Sequence, residues 1–235
     1  MLAWLERGDP FPPIERALQN PNGLLAAGAD LSVERLLEGY RRGIFPWYSS
    51  GQPPLWWSPD PRMVLYCAEL KVSRSLAKSI RNKGYEVRID TAFEQVLSGC
   101  AAPRRYEPGT WLGADMRAAY ARLHREGYAH SFETWRGDAL LGGLYGVALG
   151  RMFYGESMFS RGTDASKVAL VKLVQMLEAR GFPLVDCQMH TPLLESLGAR
   201  EIARREFLRA ISGLVNYPEP PMKWNINDLK SSVET

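Results

Sequence analysis

The chain has 235 residues, 46% of them hydrophobic and 23% charged, with a formal charge of +3 at neutral pH. These values make a folded, well-cored protein the expectation, either one large domain or a small domain beside a medium one, and the charge alone does not imply a nucleic-acid partner. No apolar run approaches the roughly 18 residues of a membrane span. The start carries Glu6, Arg7 and Asp9 and lacks the apolar stretch of a signal peptide. Three widely spaced cysteines, Cys67, Cys100 and Cys187, make no zinc pattern and no disulfide framework, so a reducing cytoplasm is the expected compartment.

Residues 1–62 are rich in proline and read unlike the rest. Within them 31–40 reads as a short helix that Asp30 or Ser32 can cap and Gly39 or Gly43 can end. Trp47, Trp56 and Trp57 follow closely, and Ser58-Pro-Asp-Pro-Arg62 is a turn-rich seam where a domain boundary is expected. Residues 63–67 read as a strand. Residues 73–82 read as a helix with Val72, Leu76 and Ile80 on one face, while Lys71, Arg74, Lys78 and Arg81 recur on another. On local evidence that stripe is an ordinary solvated face. Residues 85–89 alternate as a strand, and 93–99 and 114–126 read as helices, the second with Met116, Tyr120 and Leu123 in helical spacing. Residues 129–136, 139–149 and 152–156 are strand candidates split by Gly137-Asp138 and Gly150-Arg151, the pattern of an antiparallel meander. Thr163 or Asp164 can cap a helix over 165–180, which Gly181 stops. Residues 183–188 form a short apolar strand ending in polar residues, and 193–197 a further short helix.

A strand, a long helix and a returning strand lay 152–156 and 183–188 side by side in parallel. The predicted fold is α/β (α+β): a small N-terminal domain, 1–62, packed on a domain, 63–235, that resembles the GNAT acyltransferases and carries a mixed, mainly antiparallel sheet. Ligands commonly bind at the carboxyl ends of such strands, which here carry Glu156, Asp186 and Gln188. Asp186 and Gln188 are two apart and so share a side of their strand. Paired, the Asp186 carboxylate accepts from the Gln188 side-chain amide and sharpens the amide carbonyl as an acceptor for an incoming amine N–H. That suits an amine shedding a proton as it attacks a carbonyl. The plainer alternative has Asp186 capping a turn and Gln188 bonded to backbone. His124, His130 and His190 show no metal-ligand spacing. Gly155 to Phe159 misses the nucleophile elbow, and no phosphate or dinucleotide loop is present. Cys187 is expected to point into the core.

Several motifs run in one order along most of the chain: Phe11-Pro-Pro, Pro21-Asn-Gly-Leu-Leu-Ala26, Gly28-Ala-Asp-Leu-Ser32, Arg42-Gly-Ile-Phe-Pro-Trp47, Trp56-Trp-Ser-Pro-Asp-Pro-Arg62, Gly109-Thr-Trp111, Gly142-Gly-Leu-Tyr-Gly146, Gly155-Glu-Ser-Met-Phe-Ser-Arg161 and Asp186-Cys-Gln188. In these the chain closely resembles the leucyl/phenylalanyl-tRNA–protein transferases. The resemblance implies transfer of Leu, Phe and, less readily, Met from aminoacyl-tRNA to proteins that begin with Arg or Lys, in bacterial N-end-rule degradation, without metal or organic cofactor. It implies that Asp186 and Gln188 activate the acceptor amine, with Glu156 near the acceptor's basic end. Trp47, Trp111, Tyr40 and Tyr120 match residues around the 3′-terminal adenosine. Leu144, Phe153, Gly155, Met158, Leu173, Leu177 and Val185 match an aminoacyl pocket, where burial of a Leu or Phe side chain contributes about 1.5–3 kcal/mol; plain core packing is the alternative for the helical Leu173 and Leu177. Lys71, Arg74, Lys78, Arg81 and Lys83 become candidates for acceptor-stem phosphates, contacts that read charge rather than sequence. An acyl-CoA-dependent acetyltransferase is the rival reading, although Ser160-Arg-Gly-Thr-Asp164 lacks the pyrophosphate loop of those enzymes. A monomer is expected, for no coiled-coil or apolar interface signal appears.

Overall fold

The computed structural model describes residues 2–102, 112–218 and 222–224. Two sheets meet at the 58–62 seam. The smaller contains β1 (Ala3–Leu5), β2 (Leu24–Gly28), β3 (Phe45–Pro46) and β4 (Leu55–Trp57), in the order β1-β2-β4-β3. Its strands have two to five residues, and β2 is buried at every position, so period-two alternation could not reveal them. Helix α1 (Val33–Arg41) begins where Ser32 Oγ accepts from Arg35 N at 3.3 Å, and it buries Val33, Leu36, Leu37 and Tyr40. A serine N-cap of this kind stabilises a helix by about 1 kcal/mol.

The larger sheet contains β5 (Arg62–Tyr66), β6 (Glu86–Ile89), β7 (Ala129–Arg136), β8 (Ala139–Leu149), β9 (Met152–Ser160), β10 (Leu184–Gln188) and β11 (Arg200–Ile202), in the order β11-β5-β10-β9-β8-β7-β6. The β7-β8-β9 meander is antiparallel, as its Gly-containing turns predict. Strands β9 and β10 pair in parallel, with Asp186 opposite Tyr154, joined by the crossover helix α5 (Ala165–Ala179). The fold is the expected mixed α/β arrangement. Along β9, alternation sends Met152 and Tyr154 to one face and Phe153 to the other. One face packs on α5 and α2 (Arg74–Asn82). The opposite face packs on α1, α3 (Phe93–Ala101), α4 (Ala114–Arg125) and α7 (Arg204–Leu214). A short α6 (Pro192–Ser196), capped by Thr191, follows β10.

Three local expectations need correction. Strand β9 continues past Glu156 to Ser160, because β8 offers partners as far as Gly142. Asp164 occupies the N-cap position of α5 but does not cap it: its backbone is left-handed (φ 61°), and its carboxylate instead takes the Ser79 hydroxyl at 2.8 Å and Lys167 at 3.1 Å. Val72 precedes α2 and is 39% exposed, so the buried face of that helix rests on Leu76 and Ser79. Among the described residues, no helix is long and apolar enough to cross a membrane.

Candidate active site

Glu156, midway along β9 and just past its last pair with β10, and Asp186 and Gln188 at the carboxyl end of β10 are the polar residues that the sequence singled out, but their pairing differs from the expected one. Asp186 is fully buried and faces Arg62 of β5. Arg62 Nε donates to Asp186 Oδ1 at 2.8 Å and Nη2 donates to Oδ2 at 2.6 Å, a two-point ion pair. Asp186 Oδ1 also accepts the backbone N–H of Gln188 at 2.9 Å. Between these two residues β10 slips register against β5, and Gln188 adopts a left-handed backbone (φ 63°). That conformation costs a non-glycine residue roughly 1 kcal/mol or more, and the Asp186 acceptor offsets it. Asp186 therefore does not polarise the Gln188 side chain; it fixes the Gln188 backbone, as the turn-capping alternative held for Asp186, while the Gln188 side chain bonds to a carboxylate and not to backbone as that alternative had it. The slip is the reason, since it turns the Gln188 side chain away from the Asp186 carboxylate and toward β9.

There, Gln188 Nε2 donates to Glu156 Oε1 at 3.1 Å. Tyr40 of α1 donates to the same oxygen at 2.8 Å, and Tyr120 of α4 donates to Oε2 at 2.6 Å. The two phenol oxygens lie 3.0 Å apart. Burial pushes the Glu156 carboxyl up to about 7 from its ordinary 4.5, against the downward pull of the Tyr120 and Tyr40 hydroxyls. Burial first, and the Glu156 charge second, push both phenols well above their usual range. The cluster thus joins a carboxylate that exchanges its proton near neutrality to donors that stay protonated. Gln188 keeps its carbonyl oxygen without a protein partner among the described residues. Gly155 lets β9 run close here, since a Cβ on it would lie 3.3 Å from Asp186 O.

The other predicted residues fall into three groups. Trp47 is 36% exposed, its ring 5.5 Å from that of Trp57 and its carbonyl held by Trp57 Nε1 at 2.6 Å, so it offers an indole to solvent on a fixed backbone. Tyr40 and Tyr120 are fully buried and hold Glu156, so as packed here they present no ring face to a nucleotide. Trp111 lies outside the described residues. Leu144, Phe153, Leu173, Leu177 and Val185 share one apolar cluster, with Met158 packed on its edge. They stand mutually packed, and a cavity lined by His130, Arg180, Phe182 and Trp224 opens instead near the start of β9. Lys71, Arg74, Lys78, Arg81 and Lys83 are all exposed on and around α2. Cys187 is part-buried on the α5 side, and burial pushes its thiol up, which suits packing rather than chemistry. The sequence reading missed Arg62; the signal available was an arginine opening a buried strand beside the one that ends in Asp186.

Glu156 and Gln188 thus set a carboxylate and an amide side by side where the parallel strands β9 and β10 of a mixed sheet part, past the Tyr154–Asp186 pair. The family model described as "Leucyl/phenylalanyl-tRNA protein transferase" matches residues 64–212, and that family's N-terminal domain model matches 29–60. Relatives named leucyl/phenylalanyl-tRNA–protein transferase include one from Chromobacterium violaceum, 58% identical over 96% of this chain and 97% of its own. Another, from Thiobacillus denitrificans, is 61% identical over 92% of this chain and 95% of its own. The chain belongs to the leucyl/phenylalanyl-tRNA–protein transferase family and is an aminoacyltransferase.

Proposed function

We propose that this enzyme moves Leu, Phe and, less readily, Met from aminoacyl-tRNA to the α-amine of proteins that begin with Arg or Lys, marking them for N-end-rule degradation in the cytoplasm. In this reading residues 1–62 present Trp47 to the terminal adenosine, and 63–235 supply the transfer chemistry. The observation that carries it is the Gln188–Glu156 contact within the two-tyrosine cluster. Gln188 Oε1 accepts one N–H of the acceptor amine and aims its lone pair at the ester carbonyl. Glu156 Oε2, which accepts a hydrogen bond from Tyr120 alone, has a lone pair for the proton that the amine sheds as the C–N bond forms. The 3′-oxygen departs with the electron pair of the broken ester bond and takes up that proton.

The apolar cluster of Leu144, Phe153, Met158, Leu173, Leu177 and Val185 is the proposed seat of the aminoacyl side chain, reached by repacking around the adaptable Met158. An acyl-CoA donor fits less well. The Ser79 hydroxyl, and then Lys167, hold the Asp164 carboxyl below its usual range, so a negative charge stands at the N-terminus of α5 where a pyrophosphate would have to bind.

The direct experiment mixes pure protein, leucyl-tRNA and an Arg-starting peptide and weighs the peptide. A gain of one Leu residue is expected; no gain, or a gain of an acetyl group when acetyl-CoA is supplied instead, removes the reading. The exposed cations around α2 give a second test. Replacing Lys71, Arg74 and Lys78 together with Ala is expected to weaken tRNA binding and to flatten the slope of log K against log salt by about two, at roughly 0.7–0.9 per lost phosphate contact. An unchanged slope returns that stripe to a solvated helix face.

A further inference from the structure

The Arg62 guanidinium is fully buried, and each of its three nitrogens donates a hydrogen bond. Two go to Asp186, and Nη1 donates to Gly43 O at 3.1 Å. The guanidinium lies between two aromatic rings, 4.8 Å from the Phe45 centroid and 4.6 Å from that of Phe207. Gly43 and Phe45 belong to the segment 40–47, which begins with one of the tyrosines on Glu156 and ends with the exposed Trp47. Arg62 thus grips, at once, the segment that presents Trp47 and the carboxylate that fixes the Gln188 backbone.

We propose that Arg62 is a positioning residue for the transfer reaction, a strut that sets the separation between the nucleotide side of the site and the Gln188–Glu156 pair. The inference rests on the proposed function, because it needs an acceptor amine at Gln188. Three arguments support it. A planar, forked cation meets two carboxylate oxygens and a carbonyl together, which a lysine ammonium on a flexible stem cannot reproduce. The pair is fully desolvated, where an intact ion pair is weak evidence for stability but neither partner can leave the other without a large cost. Its carboxylate partner is the acceptor for the strained Gln188 backbone, so a shift at Arg62 passes directly to the amide that meets Glu156.

The test is Arg62→Lys, assayed for Leu transfer to an Arg-starting peptide across pH. A core variant outside the contacts of Arg62, Leu97→Ala in α3, serves as the control at matched loss of Tm; Leu97 is 2% exposed. The titratable and charged groups that face Glu156 are Tyr40, Tyr120, Tyr145, Asp186 and Arg62 itself. The lysine keeps the charge, so the main change at Glu156 is the lost Gln188 N–H, which favours the ionised form. Expected for Arg62→Lys are a kcat lower by on the order of 10- to 100-fold, KM values for tRNA and peptide within about twofold, and an acid limb of the pH profile moved to higher pH. An unchanged kcat overturns the proposal. So does a Leu97→Ala control that shows the same loss and the same moved limb. Should Arg62→Lys not fold, Phe207→Leu, which removes one wall of the guanidinium slot, is expected to show the same split at smaller size, and wild-type behaviour there overturns the proposal. A wild type that transfers no Leu at all is a different result: it removes the functional reading, and the strut with it.

Discussion

Glu156→Gln is expected to lower transfer by on the order of 10²- to 10⁴-fold while making the free protein more stable at alkaline pH. Both effects follow from one carboxyl. Burial lifts it to about 7 from 4.5, so the folded protein binds this proton more tightly than the unfolded chain does. Stability from this source is complete below about 4.5 and falls as pH rises toward about 7, where the folded carboxyl ionises. Each tenfold change in proton affinity is about 1.36 kcal/mol; with an allowance for partial exposure, the ionised carboxylate costs about 1–3 kcal/mol at pH 8. A glutamine keeps the shape and can still bond to Tyr40 and Tyr120, yet it carries no charge to desolvate. The variant should therefore gain Tm at pH 8 and gain little at pH 4.5. Activity runs the other way, since a base must be ionised: the wild-type kcat/KM should climb as pH rises through about 7. Thermal unfolding at both pH values, with a transfer assay, decides the matter. A variant that transfers at the wild-type rate would remove Glu156 from the chemistry, and one that is no more stable at pH 8 would show its carboxylate to be well solvated.

The parts of this fold that sequence made legible are those with a strong local period or a turn with few alternatives. The β7-β8-β9 meander is announced by Gly137-Asp138 and Gly150-Arg151, and α5 by apolar residues at helical spacing ending at Gly181. The parallel return of β10 followed from the length of that crossover. The small sheet was not legible, because strands as short as Phe45–Pro46 carry no period and are held by neighbours distant in sequence. At the site, the residue types were readable but their bonds were not. Two residues spaced two apart share a face only while the strand stays regular, and the slip at Gln188 breaks that condition. The Asp186 carboxylate that receives the slipped Gln188 N–H is itself paired with Arg62, 124 positions away, a pairing that no local pattern encodes. The ordered family motifs pointed to Glu156, Asp186 and Gln188 together and paired Asp186 with Gln188, whereas the structure pairs the Asp186 carboxylate with Arg62 and the Gln188 side chain with Glu156.

Asp186→Ala is expected to act first on stability and only through it, and through Gln188, on transfer. Removing one partner of a buried ion pair leaves the other charge uncompensated and costs about 3–5 kcal/mol. For a chain of this length, each kcal/mol corresponds to a Tm change of about 2–4 °C, so a loss of about 6–20 °C is expected. The Gln188 N–H would also lose its acceptor, and the left-handed turn with it. A catalytic carboxylate that mainly relayed protons would behave oppositely, with a large loss of rate and little loss of Tm. A double variant separates the two cases further. Replacing the pair with apolar residues of similar size, Arg62→Met with Asp186→Leu, removes both charges, a change that is often neutral or stabilising in other buried pairs. It should recover most of the Tm lost by Asp186→Ala, because Phe45 and Phe207 can pack on the methionine as they do on the guanidinium. Transfer should stay low, because neither new side chain can accept from Gln188 N or donate to Gly43 O. Recovery of Tm together with wild-type transfer would mean that the Gln188 geometry holds without the pair. A double variant that stays as unstable as Asp186→Ala would mean that the polar contacts to Gly43 and Gln188, rather than the ion pair, are what the fold depends on at this seam.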